Sequence, residues 1–331
     1  MHLTDTLVSA PVAIVAGAIS IALIVIAAKR AINGPRRNSI VLMAIMAAFI
    51  FAAQMITFSI PGTGTSGHIV GGVLLAALLG PWCGFLTLCA VVIVQCVLFG
   101  DGGLMALGCN ILNMGVMGCL VAYPLFYRPF MRIPASQARL MGVSILSSTI
   151  ALELGAVAVS VETALSGAST LSFYDFLLAT LPVHLAIGIC EGVVMGMVLI
   201  FVQRTSPDIL QESHSPWGVS NTAVERVRTH NRRLTLLTLG IITICMGVAF
   251  AWISAFNPDG FNWLAANVGE LPNLAPVSRS FTIVIPDYSL RISGIIGIGI
   301  VLTTIFVIGM VTFRSKRRKA QAQATVFHRY Y

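Results

Sequence analysis

The sequence predicts an all-α membrane protein that crosses the bilayer about nine times. Hydrophobic residues make up 57% of the chain and charged residues 10%, against about 25% charged in a soluble domain. Mean hydropathy is +0.91. Apolar runs of a length that crosses a hydrocarbon core of about 30 Å recur along the chain. The alternating segments of about 10 residues that mark a membrane β-barrel are missing.

The first apolar run covers 8–28. The ten residues at the start contain Asp5 and no Lys or Arg, and the basic pair Lys29-Arg30 follows the run. A secretory leader has the reverse order, so the chain is expected to begin at Met1 with a free α-amine. Further runs cover 39–58, 69–81, 84–99, 104–126, 139–165, 174–202, 234–255 and 291–313. The third and fourth are short, are joined by Gly80-Pro81-Trp82-Cys83-Gly84, and read either as ordinary spans or as tilted or partly interior. The seven cysteines lie in or beside these runs, with no Cys-x-x-Cys pair. They read as small packing residues rather than as a disulfide framework or a thiolate zinc site.

Charge sets the orientation. Segments 29–38, 127–139, 203–233 and 314–331 hold 18 of the 20 Lys and Arg residues, and all four fall on one side of nine alternating spans. Basic connections stay in the cytoplasm, so the N-terminus is expected outside and the C-terminus inside. The formal charge of +8 then reflects orientation and contact with anionic lipid, and nucleic acid is not an expected partner. The chain divides into a helical body, 1–204, a polar cytoplasmic linker, 205–233, and a two-span module, 234–331, with an outer loop at 256–290.

On this topology Met1, His2 and the loop Pro61-Gly-Thr-Gly-Thr-Ser-Gly-His68 share the outer face. A residue followed by His offers three linked nitrogens: the Met1 α-amine, the His2 amide nitrogen and the His2 imidazole. Amine and amide close a five-membered chelate ring, while amide and Nδ1 close a six-membered one. A planar nitrogen set suits Ni(II) or Cu(II), and Co(II) can be forced into the same shape. His68 is the candidate fourth donor. Gly62, Gly64 and Gly67 let the loop backbone approach closely, and no Gly-Lys-Ser/Thr follows to make it a phosphate loop. His184 and Glu191, two helical turns apart in an apolar run, share a face; they read either as a structural polar network or as support for a site. His214, His230 and His328 lie in linker or tail and read as solvated.

Four blocks carry a family resemblance: Met-His at the start, "PGTGTSGHIVGGVLLAALLGPWCG", "FGDGGLMALGCNILNMGVMG" and "LPVHLAIGICEGVV". Together they resemble the metal-capture subunit of energy-coupling factor transporters for nickel and cobalt, the NikM/CbiM family, over about residues 1–204. "NPDGFNWLA" and "IPDYSL" are similar to the small accessory component of the same systems, here fused. The usual Pro-Asp-Gly-Leu-Glu reads Pro258-Asp259-Gly260-Phe261-Asn262.

The resemblance implies a transporter subunit in the cell membrane, not an enzyme. Ni2+ or Co2+ would be its transported substrate, with Met1, His2 and His68 as metal ligands. Its implied partners are a transmembrane coupling protein and separate cytoplasmic ATP-binding subunits, and the chain itself has no Walker motif. The fused module inclines the choice of metal toward nickel. Ala44, Ala48 and Ala52 form a small-residue stripe similar to the alanine motif that docks on the coupling protein, or one that packs within the chain. Asp101, Asn110 and Asn113 fall on or near the outer side, the two asparagines as expected hydrogen-bonding support for the His68 loop. An organic-vitamin site would bring aromatic residues around a roomy pocket, where this chain has Gly, Ser and Thr. An intramembrane enzyme using His184 and Glu191 has no supporting motif.

Overall fold

The computed structural model describes residues 2–33, 39–60, 65–169, 171–214, 225–253 and 296–304. It is a multi-pass helical bundle. In order, the helices are α1 (Ala10–Asn33), α2 (Ser39–Met55), α3 (Gly72–Leu79), α4 (Pro81–Val94), α5 (Leu107–Asn110), α6 (Gln137–Ser166), α7 (Phe173–Thr205), α8 (Pro207–His214) and α9 (Glu225–Ile253). Two-residue strands β1 (Phe58–Ser59) and β2 (Ser66–Gly67) make one antiparallel hairpin between α2 and α3. α4 runs on in wider turns through Gln95–Phe99, and α5 through Ile111–Tyr127. A last helical stretch covers 296–304.

Local chemistry sets the helix ends. Ser136 Oγ accepts the Arg139 N–H at the start of α6, and Ser172 Oγ accepts the Asp175 N–H at the start of α7. Each satisfies a donor the helix cannot. Pro81 opens α4, where its missing N–H costs nothing.

Among the described residues, six helices are long and apolar enough to cross a membrane, and α2 is a shorter apolar one. The third expected span, 69–81, is corrected: it is an eight-residue helix, α3, preceded by non-helical backbone, and all of its residues are buried. Non-helical backbone at membrane depth survives only where protein encloses it, and residues 65–80 are all buried. The ninth expected span, 291–313, lies largely outside the described residues.

Close helix contacts build the bundle. Gly188, Gly192 and Gly196 of α7 face α6; a Cβ on Gly188 would lie 2.6 Å from Thr149 Cα, and one on Gly192 would meet the Ile145 main chain. Such a four-residue small repeat lets two backbones approach where lipid offers no hydrophobic drive. Gly72 of α3 meets Gly118 of α5 in the same way. At one end, Arg30 stacks over Trp82 at 4.2 Å, tying the end of α1 to the start of α4. There too, the Gln203 amide bonds both the N–H and the C=O of Ala135, at 2.9 and 2.8 Å.

The expected linker, 205–233, contains α8 and the beginning of α9. Ser206 Oγ meets Thr235 Oγ1 at 2.8 Å, and Arg232 pairs with Asp208 at 3.7 Å. α9 packs on α2, and α8 packs on α3 and α7. Ala44, Ala48 and Ala52 are all buried within the chain, so the stripe packs internally in this structure. The outer loop 256–290 lies outside the described residues.

Candidate metal centre

The chain from His2 to Val8 lies over the end of the bundle where α4 meets α5. α4 stops at Gly100, whose φ of 65° lets it turn, and Gly102 adopts φ +83°. The returning loop pairs with the N-terminal segment: Gly103 N–H donates to Leu3 O at 3.1 Å. Asn110 holds the same residue from below. Leu3 N–H donates to Asn110 Oδ1 at 2.7 Å, and Asn110 Nδ2 donates to Leu3 O at 3.1 Å. Asp5 Oδ1 accepts the Ala106 N–H at 3.1 Å. His2 is thereby fixed from the residue beside it, with Leu3 and Leu7 buried as apolar anchors.

His2 is 4% exposed and His68 5%. Their ring centroids are 5.1 Å apart and the rings are tilted by 33°. His2 Nδ1 lies 3.4 Å from Asp101 Oδ1. His68 Nδ1 lies 3.0 Å from the Ile69 carbonyl; a carbonyl only accepts, so Nδ1 carries the proton in the neutral ring and Nε2 the lone pair. Among the described residues no group of three or more His, Cys, Asp or Glu side chains is placed to hold a metal ion. Met1, Gly62 and Gly64 lie outside the described residues.

The hairpin that carries His68 leads into the buried stretch before α3. There the peptide of Val70 is met from two helices. Val70 N–H donates to Glu191 Oε2 of α7 at 2.6 Å, and Gln54 Nε2 of α2 donates to Val70 O at 2.8 Å. Gly71 has φ +81° and begins α3.

These contacts correct two expectations. Asn110 supports the N-terminal segment rather than the His68 loop. Asn113 Nδ2 donates to Glu162 Oε2 at 2.7 Å, which ties α5 to α6. The support of the His68 loop comes from Glu191 and from Gln54, a residue the sequence reading missed. Its signal was a lone amide at the end of an apolar run, where polar side chains are costly and hold specific partners. His184, also buried, bonds the Thr180 carbonyl of its own helix at 2.8 Å.

A family model described as CbiM, cobalt uptake substrate-specific transmembrane region, matches residues 2–209. The chain belongs to this family. CbiM-type chains are transport proteins and not enzymes, and this one is a multi-pass membrane protein of that type. The CbiM region covers α1 to α7 and the first residues of α8; α9 and 296–304 lie beyond it.

A putative fused nickel transport protein NikMN of Archaeoglobus fulgidus is 38% identical over 179 residues, 53% of this chain and 57% of that protein. A probable fused nickel transport protein LarMN of Lactiplantibacillus plantarum is 33% identical over 189 residues, 53% and 57% of the two chains. The chain thus spans little more than half the length of these relatives. A crystal structure of a transition metal transporter, 26% identical, superposes with a TM-score of 0.55 over 71% of this chain and 99% of that one.

Proposed function

We propose that this protein is the metal-capture subunit of an energy-coupling factor importer. It holds Ni2+ in a planar set of four nitrogens at the outer face: the Met1 α-amine, the His2 amide nitrogen, His2 Nδ1 and His68 Nε2. A transmembrane coupling protein and separate ATP-binding subunits drive the transport step. The module at 234–331 serves as a fused accessory component, and its outer loop helps to seat the metal.

The observation that carries the reading is the burial of His2 and His68 side by side. Metal–nitrogen bonds are about 2 Å, which puts an imidazole centroid roughly 3 Å from the ion. Two rings at adjacent corners of a square then have centroids about 4.4 Å apart. The separation of 5.1 Å needs less than about 1 Å of closure to reach that value. His68 Nε2 already carries its lone pair. His2 Nδ1 exchanges the Asp101 carboxylate for the metal on loading. An ion of charge +2 with one ionised amide leaves one positive charge, and Asp101 beside His2 offsets it in a site with little water.

Cobalt is the second reading, and it has a specific support: the family model is described by cobalt uptake, whereas the relatives above are named for nickel.

Calorimetric titration of the purified full chain with Ni2+ and Co2+ tests the proposal and ranks the two metals. His2→Ala removes the imidazole and with it the six-membered chelate ring, and His68→Ala removes one corner. Each is expected to weaken binding by more than the roughly 10- to 100-fold that loss of an outer-shell partner costs. Unaltered affinity in both variants would remove the proposed ligand set.

A further inference from the structure

The structure assigns Glu191 and Gln54 as positioning residues for His68, acting through the peptide of Val70; this rests on the metal-capture reading above. The segment 65–71 is non-helical after the hairpin, and every residue in it is buried. Its main-chain groups cannot turn to water, so each needs a protein partner. Val70 finds both of its partners in side chains, one from each flanking helix. Glu191 takes the N–H at 2.6 Å, and Gln54 gives a hydrogen to the C=O at 2.8 Å.

The Val70 N–H that Glu191 accepts lies at the start of α3. A helix start carries unpaired donors and partial positive charge, so this is where a buried carboxylate is best tolerated. Gly71 is suited to the arrangement by its φ of +81°.

From that peptide a short chain of contacts reaches the ligand atom. Val70 is bonded covalently to Ile69, and the Ile69 carbonyl takes the His68 Nδ1 proton at 3.0 Å. That bond sets the ring angle and leaves Nε2 as the donor. Val70 N–H and the Ile69 carbonyl share one peptide plane, so a shift at Glu191 rotates that carbonyl directly and a shift at Gln54, on the next peptide, does so through the Val70 Cα; either turns Nε2 away from its ligand direction. Glu191 and Gln54 are not proposed as ligands; they act by holding the backbone that His68 stands on. Outer-shell groups of this kind typically govern affinity about 10- to 100-fold. Because the two come from α7 and α2, the site is braced between helices far apart in the chain.

The test uses the full chain and the variants Glu191→Leu, Glu191→Gln and Gln54→Leu. Three quantities are read: amide hydrogen exchange of the peptide containing 65–71 without metal, Ni2+ affinity by titration, and the visible absorption of the nickel-loaded protein. Glu191→Leu and Gln54→Leu are expected to speed exchange in 65–71, lower Ni2+ affinity roughly 10- to 100-fold and shift the absorption band. Glu191→Gln keeps one acceptor oxygen and is expected to recover part of the loss.

A purely structural role predicts lower thermal stability with affinity and absorption unchanged, and that result overturns the assignment. So does unchanged exchange in 65–71. Should Glu191→Leu not accumulate, Glu191→Gln and Gln54→Leu decide by the same criteria. Wild-type protein that binds no Ni2+ refutes the metal-capture reading and the assignment with it. Failure confined to the variants, with wild type and His68→Ala behaving as proposed, refutes the assignment alone.

Discussion

At the residue scale, the centre depends on a few side chains that satisfy the main chain. Asn110 is the clearest. Its amide meets both the N–H and the C=O of Leu3, the residue after His2, and it is fully buried. Asn110→Leu keeps the volume and removes both bonds, leaving buried donors and acceptors that cost about 1–3 kcal/mol each. The expected outcome is a lower melting temperature together with weakened Ni2+ binding, measured by thermal denaturation and titration on one preparation. A variant that loses stability but keeps full affinity contradicts this role. His2 and His68 could be singled out from the sequence because the chelate chemistry of an N-terminal Met-His is local, and because a charge count put both on one face. The partners of Asn110 and Glu191 could not be read. They are 107 and 121 residues away along the chain, and neither periodicity nor spacing encodes such a pairing.

At the scale of elements, apolar length identified the crossing helices, because a continuous run of hydrophobic residues has few other uses. It failed at 69–81. Eight residues of α3 and the buried stretch before it are as apolar as a span, but they are enclosed by protein rather than by lipid. Composition reports burial and does not distinguish its two kinds. The repeat Gly188-x-x-x-Gly192-x-x-x-Gly196 was equally visible and went unread, although it forms the α6–α7 contact. Gly192→Leu puts a side chain where the Ile145 main chain lies. Overpacking of this kind costs about 1–3 kcal/mol or more. The expected result is a loss of folded protein in detergent, read as a drop in the monodisperse fraction by size-exclusion chromatography. The same change at Gly142, where a Cβ meets nothing within 4 Å, is expected to be tolerated. Ala44, Ala48 and Ala52 carry the opposite lesson: a small-residue stripe marks close packing, and the structure places it inside this chain rather than on a free face.

At the scale of the molecule, a CbiM-type bundle holds two histidines over one end, while in the sequence the basic residues gather in other connections. The N-terminal segment, the strand before His68 and the loop after α4 meet around the buried His2 and His68, and α7 and α2 reach up to the Val70 that follows through Glu191 and Gln54. Lys and Arg are concentrated in the alternate connections, including those held by Arg30 with Trp82 and by Gln203 with Ala135. Under the positive-inside rule this partition predicts that the histidine end faces outside. On the proposed function, four nitrogens in a plane capture the metal at this end. The most direct measurement is the magnetic state and X-ray absorption of the Ni2+-loaded full chain. A diamagnetic ion, one per chain, with four nitrogen neighbours at about 2 Å is expected. A paramagnetic six-coordinate ion, or sulfur in its shell from one of the seven cysteines, would contradict it.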